Sequence, residues 1–208
     1  MKIDIDALQS YHTRGGLIQG RFGDLQDTAC MMSALAVAKE FYDCFKAGWP
    51  DWLSTLGAYL YDRCAPEDAF PFAFEFATRL RRYYIGYGDP EILFQNYRLH
   101  SVLPIAMEAL TYCIGPWRFA AGKVVQWSID NGGRIYEISD FDKEFYLLTC
   151  PAIGQHAISA AIHRYAAGAL FAMKAVDAAS EVLGTRFVPT APDLHSSILT
   201  CLGEPAWR

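Results

Sequence analysis

Cys30 is the residue whose type and position come nearest to covalent chemistry. It stands in GDLQDTACMMSALA, residues 23–36, where an acidic start gives way to apolar residues at helical spacing. A thiol in the first turn of a helix is stabilised as thiolate by the helix dipole and by free backbone N–H groups. Nucleophilic catalysis also needs a base, and the candidates are His100, His156 and His163.

The residues around Cys30 also support an interpretation without chemistry. Ala29, Met31 and Met32 are apolar, and burial among such side chains raises the pKa of a thiol. The flanking sequence lacks the Gly and Trp pattern of papain-like sites. We therefore interpret Cys30 as a core residue and assign no catalytic residue. A cysteine-dependent hydrolase or transferase that uses Cys30 with a histidine is the alternative function.

Spacing argues against metal and cofactor sites. None of the six cysteines lies closer than fourteen residues to another, which excludes CxxC knuckles, and we expect reduced, buried thiols. His156 and His163 are seven residues apart, too far for one ion on one helix. The glycine-rich stretch 15–23 does not match a phosphate-binding loop. The sequence therefore predicts neither a metal site nor a cofactor.

RLRRYYIGYGD, residues 79–89, is the strongest candidate for a binding surface, because it concentrates arginine and tyrosine. These side chains dominate protein–protein hot spots and also serve base stacking. The third interpretation is a helix end with dipole-matched arginines and partly buried tyrosines. We predict a partner-binding surface from these residues and an acidic counterpart: Arg79, Arg82, Tyr83, Tyr84 and Tyr87, with Asp140, Asp142 and Glu144.

The composition is that of a globular chain with an acidic balance. Its 208 residues are 52% hydrophobic and 20% charged, which excludes a disordered chain. A formal net charge of −5 argues against general attraction to nucleic acid. No apolar run is long enough for a membrane span, and the N-terminus lacks a signal peptide, so we expect a cytoplasmic protein. The 14% aromatic content suits a protein interface, including one between copies of the chain.

Apolar residues at helical spacing predict a mainly α fold, a helical bundle of six or seven helices. The first helix is expected over 25–45, capped by Asp24 or Asp27, and an Ala-rich helix over 153–183. We predict a single helical domain over 1–208. An irregular N-terminal arm, about 1–24, and a proline-containing C-terminal tail, about 185–208, flank it.

The segment from Pro116 to Glu144 allows two structures. Trp117, Ala120 and Val124 have helical spacing, whereas VVQWSIDNGGRIYEIS also suits two strands around a Gly-Gly turn. The strand pairing places large apolar residues on one side. We favour a β-hairpin near 124–138 over a helix with a trailing loop.

ACMMSALA, then AGWPDWLSTLGAYLYD and a Phe-rich helix with an acidic start, resemble small uncharacterised proteins of bacteriophages and prophages. The resemblance covers about residues 15–85, implies a helical fold and a mobile-element origin, and supplies no active site. Proteins of that origin often bind and block host defence complexes, as CRISPR inhibitors do. We predict a non-enzymatic binder of a host protein or nucleoprotein complex, whose acidic side chains mimic phosphates. A homo-oligomeric assembly subunit is a further alternative.

Overall fold

The computed structural model describes residues 1–21, 23–37, 48–86, 88–139, 142, 149–191 and 193–203. The chain divides into two compact units. Unit 1 comprises Met1–Pro90 with Ile198–Arg208, and unit 2 comprises Glu91–Ser197. The single domain expected over 1–208 stays a prediction.

Unit 1 begins with four helices: α1 (Ile5–Thr13), α2 (Met31–Ala36), α3 (Asp51–Arg63) and α4 (Pro66–Ile85). The irregular arm predicted over 1–24 is wrong for the residues of α1. The Asp4 carboxylate caps that helix by accepting a hydrogen bond from the backbone N–H of Ala7 at 2.9 Å. Leu8 and Tyr11 then bury one side of it.

α2 begins later than the sequence predicted. Leu25 has a φ of 62°, which no right-handed helix contains, and Cys30 is the N-cap. The Asp24 carboxylate caps a local turn instead, because it accepts hydrogen bonds from three consecutive backbone N–H groups, starting at Gln26. The predicted continuation over 38–45 lies outside the described residues.

The core of unit 1 follows the predicted apolar periodicity. In α4, Phe72, Phe76 and Leu80 are buried, and the i, i+4, i+8 spacing places them on one face. α3 packs against α2 and α4, and Gly57 lets it approach closely. A Cβ at this glycine would lie 3.1 Å from Met31 Cε and 3.3 Å from Phe76 Cζ.

Unit 2 is formed by α5 (Pro90–Tyr97), a π-helical segment (Arg98–Val102), α6 (Leu103–Ala109), a 3-10 turn (Leu110–Tyr112), α7 (Trp117–Asp130), α8 (Ala152–Ile162) and α9 (Tyr165–Leu183). α10 (Leu194–Gly203) leads from unit 2 into the last segment of unit 1. α8 packs closely on α9, and small buried alanines line both helices.

Three predictions for unit 2 and the C-terminus are corrected. The hairpin near 124–138 is absent, because α7 continues to Asp130 and ends at Gly132 and Gly133, which have positive φ. The Ala-rich helix is two helices, since His163 and Arg164 adopt extended ψ values between α8 and α9. α10 occupies part of the tail predicted over 185–208.

The mainly α class is confirmed, whereas the count of six or seven helices is not. In the described part of the chain, β pairing is limited to isolated bridges around Ala29. None of the helices in those residues combines the length and the apolar character needed to cross a membrane.

Candidate interaction grooves

Cys30 has the properties of a packed, capping thiol. Its side chain is 6% exposed, and its sulfur accepts a hydrogen bond from the backbone N–H of Ser33 at 3.5 Å. Burial raises the pKa of the Cys30 thiol, and the nearby charge of Asp62 raises it further. A nucleophilic cysteine needs a lowered pKa and access to substrate, and this geometry supplies neither.

The tyrosines of the predicted surface belong mostly to the fold. Tyr83 is 8% exposed, and its hydroxyl donates to the backbone carbonyl of Asp89 at 2.8 Å. Tyr84 is half-buried, and burial raises the pKa of its phenol to about 12. Its hydroxyl has no hydrogen-bond partner among the described residues. Tyr87, Asp140 and Glu144 lie outside those residues, so their roles stay predictions.

The two predicted arginines line a groove of 580 Å³ between α4 and the end of α10. We call it the α4 groove, and its lining is Pro71, Phe74, Glu75, Thr78, Arg79, Arg82, Leu202 and Gly203. The Arg79 guanidinium bonds to other residues of unit 1. It pairs with the Glu75 carboxylate and donates a hydrogen bond to the backbone carbonyl of Leu199 at 2.7 Å. Arg82 is exposed, so a partner can reach its guanidinium more readily than that of the partly exposed Arg79. Asp142 belongs to unit 2, where its carboxylate accepts a hydrogen bond from Ser139 at 2.6 Å.

A second groove, which the sequence did not predict, lies in unit 2 between α6 and α7. We call it the α7 groove. It has a volume of 430 Å³ and is lined by Met107, Leu110, Thr111, Arg118, Phe119, Gly122, Lys123 and Gln126. Phe119 is 75% exposed. The groove therefore combines a largely exposed aromatic ring with the side chains of Met107 and Leu110.

The charge of the α7 groove is positive. Arg118 and Lys123 are exposed, and neither forms an ion pair with any described carboxylate. Glu108 follows Met107 of the groove lining in the sequence. Its carboxylate does not pair with the two cations, because it accepts hydrogen bonds from Thr190 and Ala191. The two cations are thus available to an acidic partner beside an exposed aromatic ring.

The sequence did not predict the α7 groove because residues 124–138 were expected to form a hairpin. If residues 124–138 form strands, the helix that carries Arg118, Phe119 and Lys123 is too short to present a face. Read as one helix, positions 118, 119, 122, 123 and 126 share one face by their i, i+4, i+8 spacing. That helical spacing is present in the sequence, but the Gly-Gly turn signal favoured the hairpin prediction over the helix.

Arg98 is a buried arginine that the sequence patterns did not indicate, and its role is structural. It is 1% exposed and donates to the carbonyls of Gly133, Ala160, Ala161 and His163 at 2.9–3.0 Å. Burial lowers the pKa of its guanidinium to about 10. Its donors satisfy carbonyls at the C-terminal end of α8, which no helix bond can satisfy.

The described residues contain no group of three His, Cys, Asp or Glu side chains arranged to hold a metal ion. Comparison of the sequence with models of protein families, with curated proteins and with solved structures found no match.

Proposed function

We propose that this chain is a non-enzymatic, cytoplasmic protein-binding factor that recognises an acidic partner surface through the α7 groove. The proposal rests on the largely exposed ring of Phe119 in one groove with Arg118 and Lys123, two cations that pair with no carboxylate in the described part of the chain. Exposed apolar patches rimmed by polar groups mark interaction sites, and Phe, Met and Arg are enriched in interfaces.

The partner class follows from the charges. Proteins that bind nucleic acid carry extended stripes of Lys and Arg, whereas this chain has a net charge of −5 and the groove lining contains two cations. Two cations around an apolar centre suit a protein segment with Asp or Glu beside a large apolar side chain. Electrostatic complementarity of this kind orients the partner and suppresses wrong ones.

We further propose that the partner is a host protein or nucleoprotein complex, and that the chain is a phage- or mobile-element-encoded inhibitor of a CRISPR-type defence complex. The resemblance of residues 15–85 to phage and prophage proteins supports this origin. In this proposal, Arg79 and Arg82 in the α4 groove form a second contact region. Asp140, Asp142 and Glu144 form its acidic counterpart.

The test is capture of partners by the tagged 208-residue chain from lysate of a bacterium with a CRISPR-type system, read by mass spectrometry. The groove variant combines Phe119→Ser with Lys123→Glu. A matched control combines Val182→Ser with Arg186→Glu, which also changes an exposed apolar and an exposed basic residue of unit 2. We expect a stoichiometric protein partner that the control retains and the groove variant loses.

The other outcomes identify the alternatives. Equal capture by both variants would overturn the assignment of the groove, and recovery of nucleic acid alone would overturn the partner class. The solution mass of the purified chain could rise with concentration in the wild type and stay that of a monomer in Phe119→Ser. That result would identify the partner as a second copy of the chain. An empty eluate together with rapid modification of Cys30 by iodoacetamide at neutral pH would favour the cysteine-dependent enzyme.

A further inference from the structure

Cys113 and Cys150 form a pair of buried thiols in unit 2. Cys113 follows the 3-10 turn, and Cys150 lies just before α8, 37 positions later in the chain. Their side chains are 5% and 4% exposed, and both are free thiols in the structure. Neither side chain lines the α4 groove or the α7 groove.

Gly154 in the first turn of α8 shows how near these two sulfurs lie. A Cβ at this position would be 2.3 Å from Cys150 Sγ and 3.4 Å from Cys113 Sγ. Real Cβ contacts of 2.3 Å do not occur, so only glycine leaves room for the Cys150 sulfur. Both sulfur atoms therefore lie within 3.4 Å of one point beside Gly154. A disulfide needs sulfurs about 2.05 Å apart, which rotation of the two side chains can approach from here.

We propose that Cys113 and Cys150 are a redox-sensitive pair that forms a reversible intramolecular disulfide on exposure to hydrogen peroxide. A Cys thiolate attacks peroxide, the O–O bond breaks, and a sulfenic acid and water are formed. The second thiol attacks that sulfur and releases a second water. Overall, the two thiols lose two electrons and two protons, and one peroxide becomes two waters. A dithiol reductant reverses the reaction by exchange.

The surroundings of the two thiols favour the thiolate form more at Cys113 than at Cys150. Burial raises the pKa of both thiols, to about 11 for Cys150. For Cys113, a hydrogen bond from the Gly154 backbone N–H and the positive charge of Arg118 counteract this effect. For Cys150, the nearby Cys113 raises the pKa further. Since both thiols are buried and both pKa values are raised, their oxidation should be slower than that of free cysteine.

The experiment uses the reduced 208-residue chain. It is treated with hydrogen peroxide, quenched by iodoacetamide under denaturing conditions and mapped by mass spectrometry. We expect a cross-linked peptide pair that contains Cys113 and Cys150 in the monomeric fraction. Its mass is lower than that of the two reduced peptides by two hydrogen atoms, and dithiothreitol removes it. Cys30 and Cys201, which are also buried, serve as internal controls and should remain alkylated.

Cysteine variants distinguish disulfide formation between Cys113 and Cys150 from general oxidation of the cysteines. Cys113→Ser and Cys150→Ser should each abolish the cross-link, whereas Cys201→Ser should retain it. Gly154→Ala, whose methyl group would displace the Cys150 sulfur, should reduce the yield of the cross-link. Complete alkylation of Cys113 and Cys150 after peroxide would overturn the proposal. Sulfinic acid at Cys113 without a cross-link, or cross-links spread evenly over all cysteines, would also overturn it.

Discussion

At the residue scale, Arg98 shows how one side chain can connect distant segments. Four backbone carbonyls, one of them 65 residues away in sequence, converge on its guanidinium. A buried charge costs free energy unless it is fully hydrogen-bonded, and these carbonyls supply the bonds. Phe94 lies beneath the guanidinium, 5.5 Å from its carbon to the ring centroid. The π-helical start at Arg98 is thus tied to the end of α8.

Replacing Arg98 by leucine should lower the free energy of unfolding by roughly 3 kcal/mol or more, since several buried carbonyls lose their donors. Arg98→Lys, which keeps the charge with fewer donors, should cost less. Urea unfolding followed by circular dichroism measures both. The exposed Arg134, changed to leucine as the control, should shift stability by no more than about 0.5 kcal/mol. Equal effects at positions 98 and 134 would contradict the structural role.

His156 provides a pH prediction for unit 2. It is half-buried beside Phe171, with ring centroids 6.1 Å apart. Burial lowers the pKa of its imidazole below 6.5, and the charge of Lys174 lowers it further, whereas Asp177 opposes the shift. Since the folded state holds the proton less tightly than the unfolded state, protonation favours unfolding. Stability should therefore fall as the pH drops from 6.5 through the folded-state pKa.

An NMR titration of the His156 ring, assigned with His156→Gln, should give a midpoint below 6.5. Between pH 6.5 and that midpoint, the urea midpoint of the wild type should decrease more steeply than the midpoint of His156→Gln. An NMR midpoint at or above 6.5 would show that burial does not control this histidine.

At the element scale, α7 presents an outward face that contributes little to folding. Gly122 lies within this helix, and a Cβ added there would meet no atom within 4 Å. Glycine in a helix interior is less stable than alanine by roughly 0.5–1 kcal/mol. The chain therefore tolerates a destabilising residue at the position where the groove is open.

Gly122→Ala should raise the free energy of unfolding by about 0.5–1 kcal/mol and weaken binding of the captured partner, because its methyl group narrows the groove. Gly57→Ala is the contrasting variant, since its Cβ would crowd Met31 and Phe76, and it should lower stability. Urea unfolding and a binding titration measure the two quantities separately. If Gly122→Ala gains stability and binds equally well, the partner does not enter the α7 groove.

At the scale of the whole molecule, a net charge of −5 coexists with a local positive groove. The total charge repels an acidic partner, whereas Arg118 and Lys123 attract it at short range. Charges farther apart than a Debye length, about 8 Å at physiological salt, are screened from each other. The local cations therefore decide recognition in a cell.

Binding of the captured acidic partner should weaken as sodium chloride increases, mainly through a lower association rate. Lys123→Glu should bind weakly and show a smaller salt dependence, whereas Arg186→Glu should keep the wild-type dependence. Surface plasmon resonance at several salt concentrations measures the rates. Affinity that is independent of salt would show that the cations of the α7 groove do not recognise the partner.

The sequence by itself determined the mainly α class and the buried faces of α3 and α4. These depend on the spacing of apolar side chains along one helix, for example Phe72, Phe76 and Leu80. This spacing is a local property. The same locality explains why the hairpin predicted near 124–138 is wrong, because the local pattern suits both structures and the packing of neighbouring segments decides between them.

Only the tertiary structure decided which of the chemically suggestive residues are exposed, paired or buried. Tyr83 is buried and Phe119 is not, although both follow an arginine in the sequence. The convergence of Cys113 with Cys150, and of distant carbonyls on Arg98, joins positions separated by tens of residues. Such contacts arise from the packing of whole helices, so no pattern within a single segment encodes them.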